Sequence, residues 1–187
     1  MSARLVCISG ASGSGKSTLA AALKDHYEKA GKRVALFGAD RYFRPVLPRM
    51  ISPSDGKEYP DWNHPDSFDA AALLADLIAA RDGGEYDLIF FEGVTVLCHE
   101  SLRHAADAKI WVDASIETRI YRRIARNVAV RGLSVEEVGD YYLRCARYRE
   151  KTYSLPSRVY ADFTVNNEYG FDTEETAARL EGITAAE

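Results

Sequence analysis

Residues Gly10-Ala11-Ser12-Gly13-Ser14-Gly15-Lys16-Ser17 read G-x-x-x-x-G-K-[ST]. They stand between an apolar run, Leu5-Val6-Cys7-Ile8-Ser9, and a helical repeat of Leu19, Leu23, His26 and Ala30. Buried strand, glycine loop and helix in that order leave few folds open, because the strand ahead of such a loop must be covered by parallel neighbours. The glycines let the backbone curl until successive N–H groups converge on phosphate oxygens. The helix that follows adds free amides and the positive end of its dipole. Lys16 is then expected on the outer phosphates, and the Ser17 hydroxyl on Mg²⁺. Gly10, Ala11, Ser12, Gly13, Ser14, Gly15, Lys16, Ser17 and Thr18 are therefore the candidate nucleotide-binding residues, and a nucleoside triphosphate is the expected ligand.

Further along, short apolar runs alternate with helical patterns, which predicts an α/β fold with a largely parallel sheet. Strands are expected at Leu5–Ser9, Arg33–Phe37, Leu88–Phe91, Lys109–Val112 and Phe163–Val165, and helices beginning near Lys16, Ser67, Ser115, Ser134 and Thr173. Gly31 is a stop for the first helix. Phe68, Ala71, Leu74, Ala75 and Ile78 make one apolar face in the second, with Asp66 or Ser67 as its cap. From Tyr42 to Pro65 the chain carries Pro45, Pro48, Pro53 and Pro60, several aromatics and no period, so it reads as a long ordered loop. Its aromatics Tyr42, Phe43, Tyr59 and Trp62 suit a substrate-facing role.

At 187 residues the chain is read as one domain, 1–187, large enough to bury a core without metal or disulfide staples. Cys7, Cys98 and Cys145 contain no C-x-x-C pair, so neither a zinc site nor a disulfide framework is expected. A net charge of −4 argues against a general nucleic-acid surface. Met1-Ser2-Ala3-Arg4 runs directly into the first strand, with no signal peptide and no membrane-length apolar stretch, so a cytoplasmic protein with no membrane partner is expected.

In open α/β sheets, ligands sit beyond the carboxyl ends of the strands. The second strand ends in Gly38-Ala39-Asp40, which aims Asp40 at the crevice of the phosphate loop. A carboxylate there accepts or orients the proton of an attacking hydroxyl, although Asp also serves as a plain turn or cap residue. The third strand ends in Glu92-Gly93, where an acidic group reaches Mg²⁺ directly or through water, whereas Asp87 flanks its far end. After Asp113-Ala114-Ser115 a helix carries Arg119, Arg122, Arg123 and Arg126. At about 100° per residue their side chains share an arc of roughly 100°. Ile116, Ile120 and Ile124 lie beside that arc as the expected packing face. A charge stripe is often only a solvated face; with a phosphate loop upstream it is read here as an anion clamp. Arg131-Gly132 adds a cation and a flexible joint suited to a closing lid.

Assembled in this order, the pieces resemble the uridine kinase family, within the wider group containing phosphoribulokinase and nicotinamide riboside kinase, over nearly the whole chain. Asp40-Arg41-Tyr42-Phe43 resembles the family's D-S-F-Y element, whose Asp is the catalytic base. Trp62-Asn63-His64-Pro65-Asp66-Ser67-Phe68-Asp69 is similar to F-D-H-P-x-A-F-D, in which the aromatic and first Asp contact the nucleoside. Phe91-Glu92-Gly93 resembles the E-G motif at the metal, and Tyr160-Ala161-Asp162 the K-Y-A-D ahead of the last strand. Arg122-Arg123-Ile124-Ala125-Arg126-Asn127, with Arg131-Gly132, resembles the lid pattern R-R-x-x-R-D…R-G. The resemblance implies a three-layer P-loop kinase fold with a five-stranded parallel sheet, helices on both faces and an arginine-bearing lid at about 119–135, with a substrate-loop region at about 40–67. It implies ATP as phosphoryl donor and Mg²⁺ as cofactor. Asp40, Lys16, Arg123 and Arg126 would be catalytic, and Arg126 and Arg131 would join the phosphate loop on the nucleotide. Asp40, Tyr42, Tyr59, Trp62, Asn63, His64 and Arg123 would bind the acceptor, and Ser17 and Glu92 the metal.

Three departures bear on the acceptor. Ala80-Arg81-Asp82-Gly83-Gly84-Glu85-Tyr86 passes straight to the third strand, without the family's base-reading Y-D-F…H-x-R hairpin. Asn63 stands for the ribose-contacting Asp. Asn127 replaces the lid Asp, and Leu133 occupies a position that is often basic. The expected activity is transfer of the γ-phosphoryl group of ATP to a nucleoside hydroxyl, most simply the 5′-hydroxyl. Alternatives are a kinase for another alcohol, such as nicotinamide riboside, or a regulatory NTP-binding protein. Against the last, Asn166-Asn167-Glu168-Tyr169 does not match the N-K-x-D of GTPase switches, and the L-S-G-G-Q of transporter ATPases is missing. The expected partner is a small molecule, and assembly into a homo-oligomer is left open.

Overall fold

A computed structural model describes residues 2–184. In chain order its elements are β1 (Arg4–Ser9), α1 (Lys16–Lys29), β2 (Val34–Gly38), β3 (Arg49–Ile51), β4 (Glu58–Pro60), α2 (Ala70–Asp82), β5 (Leu88–Gly93), α3 (Glu100–Ala105), β6 (Ala108–Asp113), α4 (Ile116–Arg131), α5 (Val135–Tyr141), α6 (Arg147–Arg149), α7 (Leu155–Ser157), β7 (Phe163–Asn166) and α8 (Thr173–Thr184). All five expected strands form, and they lie side by side as β2-β5-β1-β6-β7, each pair parallel.

Period-two alternation divides β1 between two cores. Val6 and Ile8 pack with Leu19 and Leu23 of α1 and Leu180 of α8, while Leu5 and Cys7 pack with Leu73 and Leu77 of α2 and Leu102 of α3. Helices therefore cover both faces of the sheet, which is why its strands read as continuous apolar runs. Cys7 is buried as a small hydrophobe, and burial pushes its thiol far up from the ordinary range.

Several local expectations change. The second helix starts at Ala70, because Asp69 accepts from the Ala72 amide at 3.0 Å; Asp66 and Ser67 lie instead in a short 3₁₀ turn capped by the His64 ring. Its buried residues are Leu73 and Leu77, while Ala71, Ala75 and Ile78 are exposed. A stretch of Ala and Leu offers several plausible apolar faces, and the late start rotates the one that reaches the core. The loop expected from Tyr42 to Pro65 contains a hairpin, β3 against β4, pairing Met50 with Tyr59 and turning through Gly56 at φ 68°. Strands this short, one of them ending in Pro60, leave no readable period.

α4 begins where expected, capped by Ser115, whose side chain accepts from the Thr118 amide, and Gly132 ends the helix at φ 66°. The packing face differs: Ile116 is 43 % exposed, whereas Arg119 and Asn127 are buried. From Val135 the chain stays helical to Tyr160, with π turns at Tyr142–Ala146 and Glu150–Ser154. The connection from α2 to β5 is the short turn Gly83 to Asp87, where Arg33 grips Asp87 through two nitrogens at 2.7 and 3.2 Å.

Candidate active site

The phosphate loop owes its shape to its own glycines and to distant chain. Gly13 and Gly15 sit at φ 85° and 94°, a region that L side chains rarely adopt. A Cβ on Gly13 would lie 2.3 Å from the Arg119 carbonyl oxygen, and one on Gly15 would lie 2.0 Å from Nδ2 of Asn167. That same Asn167 amide donates to the Ser14 carbonyl at 2.8 Å. The loop is thus braced by α4 and by the chain just after β7. Lys16 is buried at the start of α1. With Ser17, Thr18, Arg122 and Arg126 the loop borders a groove of about 360 Å³.

Ser17 Oγ donates to Glu92 Oε1 at 2.9 Å. A hydroxyl and a carboxylate side by side at the groove fit Mg²⁺, which takes one or two protein oxygens and completes its shell with phosphates and water. Among the described residues no cluster of three or more His, Cys, Asp and Glu exists to hold a metal by itself.

A second cleft, of about 240 Å³, adjoins this groove. Asp40, in the 3₁₀ turn that follows β2, lines it, together with Ser12, Trp62, Asn63, Arg123 and Tyr141. Asp40 is exposed, and its carboxylate has no hydrogen-bond or ion-pair partner among the described residues. Arg131 and Leu133 also line this cleft, and Arg126 borders both spaces.

The arginine stripe divides into separate roles. Arg119 is buried, donating to Glu150 Oε2 at 3.1 Å and to the Ala114 carbonyl at 3.2 Å. Arg122 donates to the carbonyls of Asn167 and Glu168, at 2.8 and 3.1 Å, while facing the phosphate groove. Arg123 lies 5.7 Å from the centre of the Tyr141 ring, and its Nε and Nη1 are buried without partners. Burial lowers its pKa, and the nearby Arg126 and Arg131 add to that, against Tyr141 and Glu150.

Of the other expected acceptor residues, the fold brings Trp62 and Asn63 to the cleft. Trp62 stands edge-on to Phe43 with 5.1 Å between ring centres. Tyr141 organises this wall: its hydroxyl donates to the Pro60 carbonyl at 3.1 Å and accepts from the Trp62 amide at 3.2 Å. Burial pushes the Tyr141 pKa up to about 12, so the phenol keeps its proton for that bond. Beneath the wall, Asp61 is fully buried against Arg149 Nε at 2.5 Å and accepts from the Asn63 amide.

Tyr42, Tyr59 and His64 do not line the cleft. The 3₁₀ turn carries Tyr42 onto α2, where it donates to Asp76 at 2.7 Å. Tyr59 stays within the hairpin, donating to Asp55 at 2.7 Å, and Asp55 also binds Arg144. The His64 ring accepts from the Asp66 amide and packs edge-on to Tyr153. Tyr141, Asp61, Arg149 and Glu150 were not visible as site residues, since they form no motif. The aromatic pair Tyr141-Tyr142 just beyond the arginines was the available signal.

This geometry has relatives. The pattern of the Phosphoribulokinase / Uridine kinase family matches residues 82–173. The chain is 30 % identical over 183 residues to a uridine kinase of Clostridium botulinum (strain Langeland / NCTC 10281 / Type F), covering 86 % of each protein. It is 29 % identical over 185 residues to uridine-cytidine kinase B of Dictyostelium discoideum, covering 86 % of this chain and 73 % of that one. Among solved structures, it shares its fold with a putative fructose transport system kinase from Silicibacter sp. TM1040 (TM-score 0.55, 19 % identity, 87 % of this chain and 89 % of that one). A shikimate kinase from Acinetobacter baumannii is similar in the same sense (TM-score 0.57, 16 % identity, 99 % and 95 % covered).

Proposed function

Because this chain belongs to the phosphoribulokinase/uridine kinase family, and is thus an ATP-dependent phosphotransferase acting on an alcohol, we propose that its acceptor is a nucleoside or a metabolite of similar size, phosphorylated on a primary hydroxyl. The reading sets aside a purely regulatory NTP-binding protein, and it takes residues 1–187 as one cytoplasmic kinase domain with a lid near 119–135. The observation that carries it is the adjacency of two spaces, a phosphate groove and a cleft with a partnerless carboxylate, joined at Arg126.

In this reading Lys16 and the loop amides hold the donor phosphates, and Arg126 meets the transferring group from the border between the two spaces. Asp40 orients the acceptor hydroxyl and takes its proton as the new bond forms. Ser17 and Glu92 would hold Mg²⁺, which supplies charge neutralisation on the phosphates. Trp62 stacks on a ring, while Asn63 and Arg123 offer hydrogen bonds to it or to its sugar.

A second reading, an alcohol other than a pyrimidine nucleoside, is favoured by the direct α2–β5 turn and by Asn63 and Leu133 in the cleft. ADP release measured with uridine, cytidine, adenosine, nicotinamide riboside and simple polyols tests both. Turnover is expected to depend on one of these alcohols. ATP consumption that none of them stimulates would count against the kinase reading.

A further inference from the structure

Glu150 opens the second π turn and is only 2 % exposed. A π turn admits an extra residue and so redirects the side chains around it, and such turns cluster at functional sites. Its Oε2 binds Arg119, but its Oε1 is buried with no partner. Arg123 sits four residues after Arg119, on the same face of α4, within the electrostatic reach of the same carboxylate. Its Nε and Nη1 are equally buried and partnerless, as is the hydroxyl of Tyr142. Unmade donors and an unmade acceptor of opposite charge thus share one buried region behind the acceptor cleft. A guanidinium buried without a counter-charge is costly. The groups that face Arg123 are Tyr141 and Glu150, which favour its charge, and Arg126 and Arg131, which oppose it.

We propose that Glu150 is a counter-ion shared by two arginines of α4, bonded to Arg119 and facing Arg123, and that it is a positioning residue holding the Arg123 guanidinium in the wall of the acceptor cleft. The proposal rests on the reading of that cleft as the acceptor site. Arg119 gives the carboxylate its orientation, and the free oxygen is left for Arg123. A small shift of α4 toward the helical segment carrying Glu150, as closure over ligand would bring, completes the network.

The test uses ¹⁵N-labelled protein, with the Nε–H resonances of Arg119 and Arg123 assigned by their loss in Arg119→Met and Arg123→Gln. In Glu150→Gln both resonances are expected to move, and the Arg123 proton is expected to exchange about tenfold faster with solvent. This readout needs no acceptor, so it stands apart from the kinase reading. In turnover with the alcohol that stimulates ADP release, kcat/KM for that alcohol is expected to fall about tenfold while KM for ATP stays within about twofold. The loss should vanish in an Arg123→Gln background and be partly restored by Glu150→Asp. Should Glu150→Gln fold poorly, the pair Arg119→Met with Glu150→Gln relieves the stranded Arg119 and is expected to show the same Arg123 shift. An unmoved Arg123 resonance, or a kinetic loss that persists in full without Arg123, overturns the proposal.

Discussion

Among the described residues two carboxylates line the acceptor cleft: Glu137 accepts from the Ser134 amide in a capping box, and Asp40 has nothing to hold. Asp40→Asn is therefore expected to cost roughly 10²–10⁴ in kcat, the usual contribution of a positioned base, with ATP affinity retained. Rapid-quench turnover beside ATP titration checks it; lost ATP affinity with normal kcat would move Asp40 to the donor side. Residues at strand ends were legible in the sequence because the fold dictates what lies there: Lys16, Ser17, Asp40 and Glu92 each follow a recognisable apolar run. The arginines were not, because helical spacing places Arg119, Arg122, Arg123 and Arg126 on one arc without saying which meets an internal carboxylate. Tyr42 and Tyr59 failed for a related reason, as an aromatic in a loop carries no mark of which neighbour its hydroxyl will find.

Among elements, the hairpin and its continuation are fastened to the helical segment after α4 through Asp55–Arg144, Asp61–Arg149 and Tyr141. Removing one partner of a buried pair costs about 3–5 kcal/mol. Asp61→Asn should thus lower Tm by roughly 6–12 °C, taking about 3 kcal/mol at about 2–4 °C per kcal/mol for a chain of this size. The acceptor KM should rise and the ATP KM should not, which calorimetry and kinetics together would show. The 3₁₀ turn Pro65–Ser67 is also tied at His99, whose Nε2 meets the Pro65 carbonyl at 3.1 Å, and burial pushes its pKa below the ordinary 6.5. A depressed histidine pKa means that the unfolded chain binds more protons, so this contribution is present above pH 6.5 and is lost as pH falls through the folded value. Tm should decline across that acid window, and the decline should be shallower in His99→Gln, which keeps a donor for Pro65. Sequence period found none of these ties, because they join segments remote in the chain.

For the molecule as a whole, a largely parallel sheet of five strands followed from the alternation of apolar runs, and helices on both faces from the family resemblance, but the shape of the acceptor site followed from neither. Strong discrimination between ligands needs buried polar groups that the wrong ligand leaves unpaired. The α2–β5 turn brings no such groups over the cleft, and Trp62 offers a stacking face that tolerates many rings. Selectivity among nucleosides, measured as kcat/KM under one set of conditions, should accordingly be modest unless the true acceptor lies outside them. A preference of about a thousandfold for uridine or cytidine over every other compound would contradict this argument, since modest contacts supply far less.

The brace between Asn167 and the phosphate loop also bears on how the protein is made. β1 lies in the middle of the sheet, and both of its neighbours, β5 and β6, leave the ribosome long after it does. The loop that follows β1 then waits for Arg119 and, later still, for Asn167 before its glycines are enclosed. Nascent chains halted before β7 would hold every residue of the loop and none of that final support, so ATP capture should emerge only once β7 and Asn167 have been made, well after the loop itself.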